Sequence, residues 1–101
     1  MLTHFVELFL EYIERERNFS PHTSISYTKD LDQFQSFLQT QFPEALQHPE
    51  NIDQDIVRSF LSLLLDSGMA RKSVVRKISA LRSFFKFAVR RKLLVSNPMS
   101  N

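Results

Sequence analysis

Apolar side chains recur every three or four residues along four stretches of this 101-residue chain. That spacing places them on one face of an α-helix. The chain holds a single glycine and is rich in leucine, a composition that favours helices. The sequence therefore predicts one small all-α domain, with a short helical turn in the loop at 43–52 and four longer helices at 2–17, 21–41, 54–67 and 71–92.

Capping and helix-breaking residues mark the ends of the predicted helices. Ser20 can accept a hydrogen bond from the free amides of the second helix, and Pro21 suits its first position. Pro43 ends that helix, because the residue before a proline avoids the helical region. Asp53 is expected to cap the third helix, and Gly68 to end it in the left-handed conformation.

Two of the helices carry more apolar residues than a single buried stripe needs. The first has Leu8 and Leu10 beside its main stripe, so it either packs deeply or meets a partner protein. The third is expected to be the most buried helix, through seven apolar residues: Ile56, Val57, Phe60, Leu61, Leu63, Leu64 and Leu65.

Charge is distributed unevenly along the chain. The formal net charge is +2, yet residues 1–55 hold three basic and ten acidic side chains, whereas residues 56–101 hold ten basic side chains and one acidic. This polarity indicates that one surface of the domain meets a polyanion, and an ordinary solvated helix face is the alternative.

The basic residues of the last predicted helix share its outer face with small serines. That face comprises Lys72, Arg76, Ser79, Ser83, Lys86 and Arg90, flanked by Val75 and Arg82. Serines allow a helix to approach a phosphate backbone closely, and cations neutralise that backbone. The outer face of the second helix offers hydroxyl, amide, amine and imidazole groups, from His22, Ser26, Lys29, Gln33 and Ser36. The two helices could hold a DNA duplex between them, and reversing Arg76 and Lys86 to glutamate is expected to abolish binding with the helices intact.

Composition argues against several other kinds of site. The chain has no cysteine, so it lacks disulfides and thiolate metal ligands, and its three histidines lack ligand spacing. One glycine is too few for a glycine-rich phosphate loop, and no apolar run reaches the roughly 18 residues that span a membrane. Tyr12 and Tyr27 are expected to face the core, and no catalytic set of side chains can be assembled. We therefore expect a cytoplasmic domain with no membrane contact, metal, cofactor, small-molecule substrate or catalysis of its own.

The order of several short motifs resembles one family of DNA-rearranging proteins. Residues 18–23 (NFSPHT), followed by Tyr27, Asp30 and Phe34, resemble the opening of the core-binding domain of tyrosine recombinases, also called phage integrases. Residues 72–74 (KSV) and 76–87 (RKISALRSFFKF) resemble the last long helix of that domain, and Asn97 with Pro98 resembles its junction with the catalytic domain. The likeness spans nearly the whole chain and is greatest for the Xer type.

The resemblance implies a fold, a partner and a set of DNA-facing residues. The family's domain is a SAM-like bundle of four to five helices that lies on one side of a double-stranded DNA target, while the catalytic domain closes the other side. Its second and fourth helices face the major groove and nearby phosphates. Carried over to this chain, those helices select Ser20, His22, Thr23, Ser26, Lys29, Lys72, Ser73, Arg76, Lys77, Ser79, Arg82 and Lys86. The helical wheel, in contrast, places Lys77 near the edge of the core.

The resemblance also implies how the domain fits into a larger protein. Residues 1–96 would form the DNA-binding domain, and residues 97–101 would begin a linker to a C-terminal catalytic domain outside this chain, so no catalytic residue can be assigned here. The parent protein would cleave and rejoin DNA through a phosphotyrosine intermediate, in chromosome dimer resolution or in DNA integration. Leu8 and Leu10 could contact a neighbouring recombinase protomer in the synaptic complex. The alternative is a helical protein–protein interaction module that does not bind DNA.

Overall fold

Five α-helices build the domain. The computed structural model describes residues 1–99, and over that range it contains no β-strand. Its elements are α1 (Leu2–Arg15), α2 (Pro21–Gln41), α3 (Glu44–Gln47), a 3₁₀ turn (Pro49–Asn51), α4 (Gln54–Asp66) and α5 (Arg71–Arg90). This arrangement confirms the predicted all-α bundle, in which the short turn of the 43–52 loop is α3.

Local chemistry sets the starts of α2 and α4 and the end of α4 within one residue of the predicted positions, whereas α1 and α5 end at Arg15 and Arg90, two residues before the predicted ends. The Thr23 amide donates to Ser20 Oγ at 3.2 Å at the start of α2, and Pro21 occupies its first turn. The Ile56 amide donates to Asp53 Oδ1 at 2.9 Å at the start of α4. Gly68, with φ of +82°, ends α4 in the left-handed region that favours glycine.

Phenylalanine rings fill the core between α1, α2, α4 and α5. Phe9 of α1 meets Phe84 of α5 edge to face, with 5.7 Å between ring centroids. Phe34 of α2 meets Phe60 of α4 in the same way at 5.1 Å. All four rings are fully buried, so aromatic packing fixes the positions of these helices.

The structure contradicts the expectation that the third predicted helix is the most buried. That helix is α4, and it buries only Val57, Phe60 and Leu64. These three residues form a single stripe, and α4 buries only that stripe because it packs on the edge of the bundle. Leu63 and Leu65 lie outside the stripe and are 51% and 57% exposed.

The surplus leucines of α1 are accounted for by packing. Leu8 and Leu10 are both partly buried against the core, beside the fully buried Val6 and Phe9. The structure therefore favours deep packing of α1 over a large free apolar face.

The chain turns back on the bundle after α5. The amides of Leu93 and Leu94 both donate to the Ala88 carbonyl, at 2.8 and 3.2 Å, and Leu94 is buried. Met99 packs partly against the core, and its amide donates to Asn97 Oδ1 at 2.8 Å. The first part of the predicted 97–101 linker therefore lies on the domain, and residues 100–101 lie outside the described residues.

Candidate nucleic-acid interface

An ion cluster inside the bundle joins α2 to α5. Asp30 accepts a pair of hydrogen bonds from Arg76, from Nε to Oδ2 at 3.0 Å and from Nη2 to Oδ1 at 2.8 Å. Lys77 Nζ donates to the same Oδ1 at 2.7 Å. The Asp30 side chain is fully buried and the Lys77 side chain 7% exposed, whereas that of Arg76 is 44% exposed. Only Arg76 therefore extends from this cluster to the surface.

The cluster keeps the Asp30 carboxylate ionised. Burial on its own raises the pKa of Asp30, because a charge is poorly solvated in the interior. The hydrogen bonds and charges of Arg76 and Lys77 outweigh that effect, so the net pKa of Asp30 is lowered. The hydrogen bonds to Asp30 in turn raise the pKa of Arg76, which stays charged.

Arg76 lies at the edge of a shallow cleft between α2 and α5. The cleft has a volume of about 200 Å³ and is lined by His22, Thr23, Ser26, Tyr27 and Arg76. Hydroxyl and imidazole groups from α2 thus face a fixed guanidinium from α5. This set of donors suits an anion such as a phosphate group.

A second cleft, further along α5, is more cationic. It has a volume of about 210 Å³ and is lined by Tyr12, Arg17, Phe19, Ser83, Lys86, Phe87 and Arg90. Three cations surround it. Arg17, which follows α1, was not selected by the sequence patterns because it precedes the basic half of the chain.

Most of the predicted site residues share one surface, which we call the α2–α5 surface. Its side chains are exposed or partly buried, and they are His22, Thr23, Ser26, Lys29, Lys72, Ser73, Arg76, Ser79, Ser83, Lys86 and Arg90. Ser20 lies at its edge, where its hydroxyl caps α2 and contacts that of Thr23 at 3.0 Å.

Arg82 is exposed but lies apart from the α2–α5 surface. It lines a cleft with Arg58 and Leu61 of α4 and with Pro98 and Met99 of the C-terminal segment. The structure therefore separates Arg82 from the other cations of α5, although the sequence pattern grouped them together.

The expectation that Lys77 faces DNA is wrong for this structure. Its ammonium is buried against Asp30, so it cannot contact a ligand at the surface. Lys77 lies in the same helical stripe as Val74, Leu81 and Phe84, which face the core. The helical wheel indicates this position correctly, and the resemblance does not.

Sequence reasoning missed Asp30 as a site residue, although a signal for it was present. Asp30 lies among Tyr27, Leu31 and Phe34 on the inner face of α2, just as Lys77 lies in the inner stripe of α5. Two opposite charges within the apolar stripes of two helices indicate a buried ion pair.

The start of α5 concentrates positive charge. Its first turn contains Arg71 and Lys72, no acidic residue, and no side-chain hydrogen bond at the N-cap Ala70. Because the N-terminus of a helix is itself positive, these cations oppose the helix dipole. An anionic ligand nearby would relieve that repulsion.

Residues 1–99 show neither a metal-binding cluster nor a membrane-spanning helix. Within residues 1–99, no three His, Asp or Glu side chains come close enough together to hold a metal ion. None of the helices in the same range combines the length and apolar character needed to cross a membrane.

Comparison with known proteins assigns the chain to a family. Residues 6–92 match the family described as "Phage integrase, N-terminal SAM-like domain". The chain is 40% identical over 94 residues to the tyrosine recombinase XerC of Bacillus subtilis (strain 168), which covers 93% of this chain and 30% of that protein. It is also 40% identical over 92 residues to the tyrosine recombinase XerC of Listeria monocytogenes serotype 4a (strain HCC23), covering 91% of this chain and 30% of that protein.

The chain thus spans about 30% of the length of these relatives. No solved structure matches it. The family match confirms the resemblance drawn from the motifs. The matched residues 6–92 include α2 to α5 and all but the first turn of α1, which agrees with the observed bundle. This chain belongs to the family of phage integrase N-terminal SAM-like domains.

Proposed function

We propose that this domain binds one side of a DNA duplex through the α2–α5 surface, as the N-terminal part of a Xer-type tyrosine recombinase. The observation that carries the proposal is a pair of clefts along α5. In one, polar groups of α2 face Arg76, and in the other Lys86 and Arg90 of α5 lie with Arg17. The names of two relatives support the same proposal, since both are tyrosine recombinases.

The composition of the α2–α5 surface fits the chemistry of a phosphate backbone. Lys72, Arg76, Lys86 and Arg90 are spaced four, ten and four residues apart, close to whole numbers of helical turns, and so lie along one side of α5. Small serines separate them, which leaves room for the backbone to approach. Binding of this kind releases counterions from DNA, so affinity should fall steeply as salt rises.

The proposal is tested by titrating a fluorescent duplex of about 30 base pairs with the chain at several salt concentrations, followed by anisotropy. Four to six phosphate contacts predict a log–log slope of about −4 to −5. Lys86→Glu should weaken binding by about tenfold or more and make the slope shallower. Binding without salt dependence would contradict the proposal.

Arg15→Glu is the matched control, because it reverses one charge away from the α2–α5 surface. Arg15 is exposed on α1 and pairs with Glu11 at 3.3 Å. It should leave DNA affinity nearly unchanged. Equal losses in the two variants would mean that net charge alone determines binding and that this surface has no special role.

We further propose the activity and partners of the whole protein. The catalytic domain would follow residues 97–101, close the other side of the duplex, and cleave and rejoin DNA through a phosphotyrosine intermediate. Neighbouring recombinase protomers would be the protein partners, although Leu8 and Leu10 offer them little free apolar surface. Cleavage of a labelled duplex by the longer protein, with covalent capture of the DNA, tests the activity.

One observation favours a second candidate function, a protein-interaction module. Leu63 and Leu65 are the large exposed apolar side chains of α4, and α4 lies on the edge of the bundle. If this face binds protein, Leu63→Glu with Leu65→Glu should abolish self-association or partner binding in sedimentation experiments. In the DNA-binding proposal the same double variant keeps its DNA affinity.

A further inference from the structure

The hydrogen bonds of Arg76 leave part of its guanidinium free in a fixed orientation. A guanidinium has five N–H donors, and Asp30 accepts from two of them, on Nε and Nη2. Three donors remain. They lie on the side away from the buried carboxylate, because Asp30 is fully buried and Arg76 is 44% exposed.

The second cation of the cluster determines its net charge. Arg76 and Asp30 alone would form a neutral pair, which attracts an external anion only weakly. Lys77 contributes a further positive charge 2.7 Å from Asp30 Oδ1 and is itself buried. The cluster therefore carries a net charge of +1, which only Arg76 presents to the surface.

Stability alone does not account for such a cluster. Charges inside a protein lose their hydration, and an apolar replacement of similar size is often as stable or more stable. A long arginine side chain at a surface also samples many rotamers, and an ordered hydrogen-bonded pair removes that freedom before a ligand arrives.

We infer that Asp30 is a positioning residue, which holds the Arg76 guanidinium over the cleft of His22, Thr23 and Ser26 so that it receives one phosphate of the DNA backbone, while Lys77 keeps the cluster positive. This inference rests on the proposed DNA binding. It assigns binding roles to two buried residues that do not touch the DNA. Asp30 orients the arginine that contacts one phosphate, and Lys77 supplies the net positive charge of the cluster.

Three variants separate the effect of the orientation of the Arg76 guanidinium from that of the net charge of the cluster. Asp30→Asn with Lys77→Met keeps the net charge of the cluster at +1 and removes the ionic clamp on Arg76. Lys77→Met alone keeps the clamp and makes the cluster neutral. Arg76→Lys keeps the charge and the exposed position but lacks the planar fork that Asp30 holds.

The measurement is DNA affinity on duplexes in which one phosphate at a time is replaced by a neutral methylphosphonate. For the unaltered chain, replacing the phosphate at one position should weaken binding by about tenfold, since the replacement removes a charge-assisted contact with Arg76. In Asp30→Asn/Lys77→Met and in Arg76→Lys that position-specific loss should shrink to about twofold or less, while losses at other positions persist. Lys77→Met should lower affinity and keep the position-specific loss.

Circular dichroism and urea unfolding of each variant are measured alongside. A merely structural role for Asp30 would reduce binding equally at every phosphate position, and that result would overturn the inference. Unchanged position-specific losses in a folded Arg76→Lys variant would also overturn it, including where the Asp30 variant fails to fold. If either result is seen and Lys86→Glu still weakens DNA binding, the inference fails and the proposed function stands. If the unaltered chain does not bind DNA, the inference and the proposed function both fail.

Discussion

Asp30 links the stability of the bundle to its candidate binding surface. The carboxylate is buried, yet it remains charged because Arg76 and Lys77 both donate to it. Replacing either cation leaves the buried Asp30 charge only partly balanced. Replacing all three side chains by apolar ones leaves no buried charge, and the change in stability then depends on packing alone. Substitutions at these three positions are therefore coupled and should not be treated as independent.

The lowered pKa of Asp30 predicts a loss of stability in acid. A carboxylate whose pKa is lower in the folded state than its unfolded value of about 3.9 stabilises the fold above that pH. This contribution should disappear as the pH falls through the lower folded value. Urea midpoints measured from pH 5 to pH 2 should therefore fall more steeply for the unaltered chain than for Asp30→Asn.

Asp32→Asn is the control for that experiment, because Asp32 is exposed on the same helix. It should retain most of the acid dependence of the unaltered chain. The prediction is contradicted if Asp30→Asn and Asp32→Asn have the same pH profile.

The buried cluster also changes the expected result of reversing Arg76. The sequence predicts that Arg76→Glu with Lys86→Glu abolishes DNA binding and leaves the helices intact. In the structure Arg76→Glu places a second carboxylate beside Asp30, so it should destabilise the domain by about 2 kcal/mol or more. Lys86→Glu alone should change stability by less than about 0.5 kcal/mol. Thermal unfolding of the two single variants distinguishes these effects, and equal melting temperatures would contradict the prediction.

At the scale of elements, helix ends were predictable because their causes are local. Ser20 with Pro21, Asp53, and Gly68 each act within a few residues of their own helix, and all four behave as expected. The burial of α4 was not predictable in the same way. Leu63 and Leu65 are as apolar as Leu64, and only the position of α4 on the edge of the bundle decides which of them is covered.

The cap of α4 gives a quantitative test at this scale. The Asp53 carboxylate accepts from the Ile56 amide at 2.9 Å and lies at the positive end of the helix. Asp53→Ala should lower the free energy of unfolding by about 1 kcal/mol, and Asp53→Ser or Asp53→Asn should restore most of it. Urea denaturation measures the change. A loss of similar size in Asp55→Ala, which carries no cap, would indicate that charge rather than capping is responsible.

The candidate site was predictable for the residues that helical periodicity places outward. One turn of 3.6 residues fixes Lys72, Arg76 and Lys86 on the same side of α5 whatever the neighbours are. Periodicity places Asp30 and Lys77 in the apolar stripes of their helices, but it does not show which side chains surround them. The two opposite charges within the apolar stripes indicate a buried pair, but the inclusion of Arg76 in that pair required knowledge of how α2 and α5 pack. Arg17 required knowledge of where the segment after α1 lies.

At the scale of the whole molecule, the helices that carry the candidate site pack closely on each other and on α1. α2 and α5 are joined by the buried ion cluster and by the core rings, and α1 packs on both. α4 lies at the edge and contributes three fully buried side chains. A binding surface on α2 and α5 therefore rests on helices that a buried ion cluster and core rings hold together, an arrangement that favours fixed positions for its charges before DNA arrives.

The edge position of α4 and its few buried side chains predict that α4 opens before the rest of the domain. Segments with few buried contacts open with smaller free energies than the core elements. In native-state hydrogen exchange, the amides of α4 should therefore exchange at lower free energy than those at the centres of α2 and α5.

Phe60→Leu should lower the protection of α4 most, because the Phe60 ring packs on Phe34 and Phe37 of α2. DNA affinity should stay within about threefold in that variant, since the α2–α5 surface does not include α4. Uniform protection across all helices would show instead that the bundle opens as one unit, and a large loss of DNA affinity would place α4 within the binding surface.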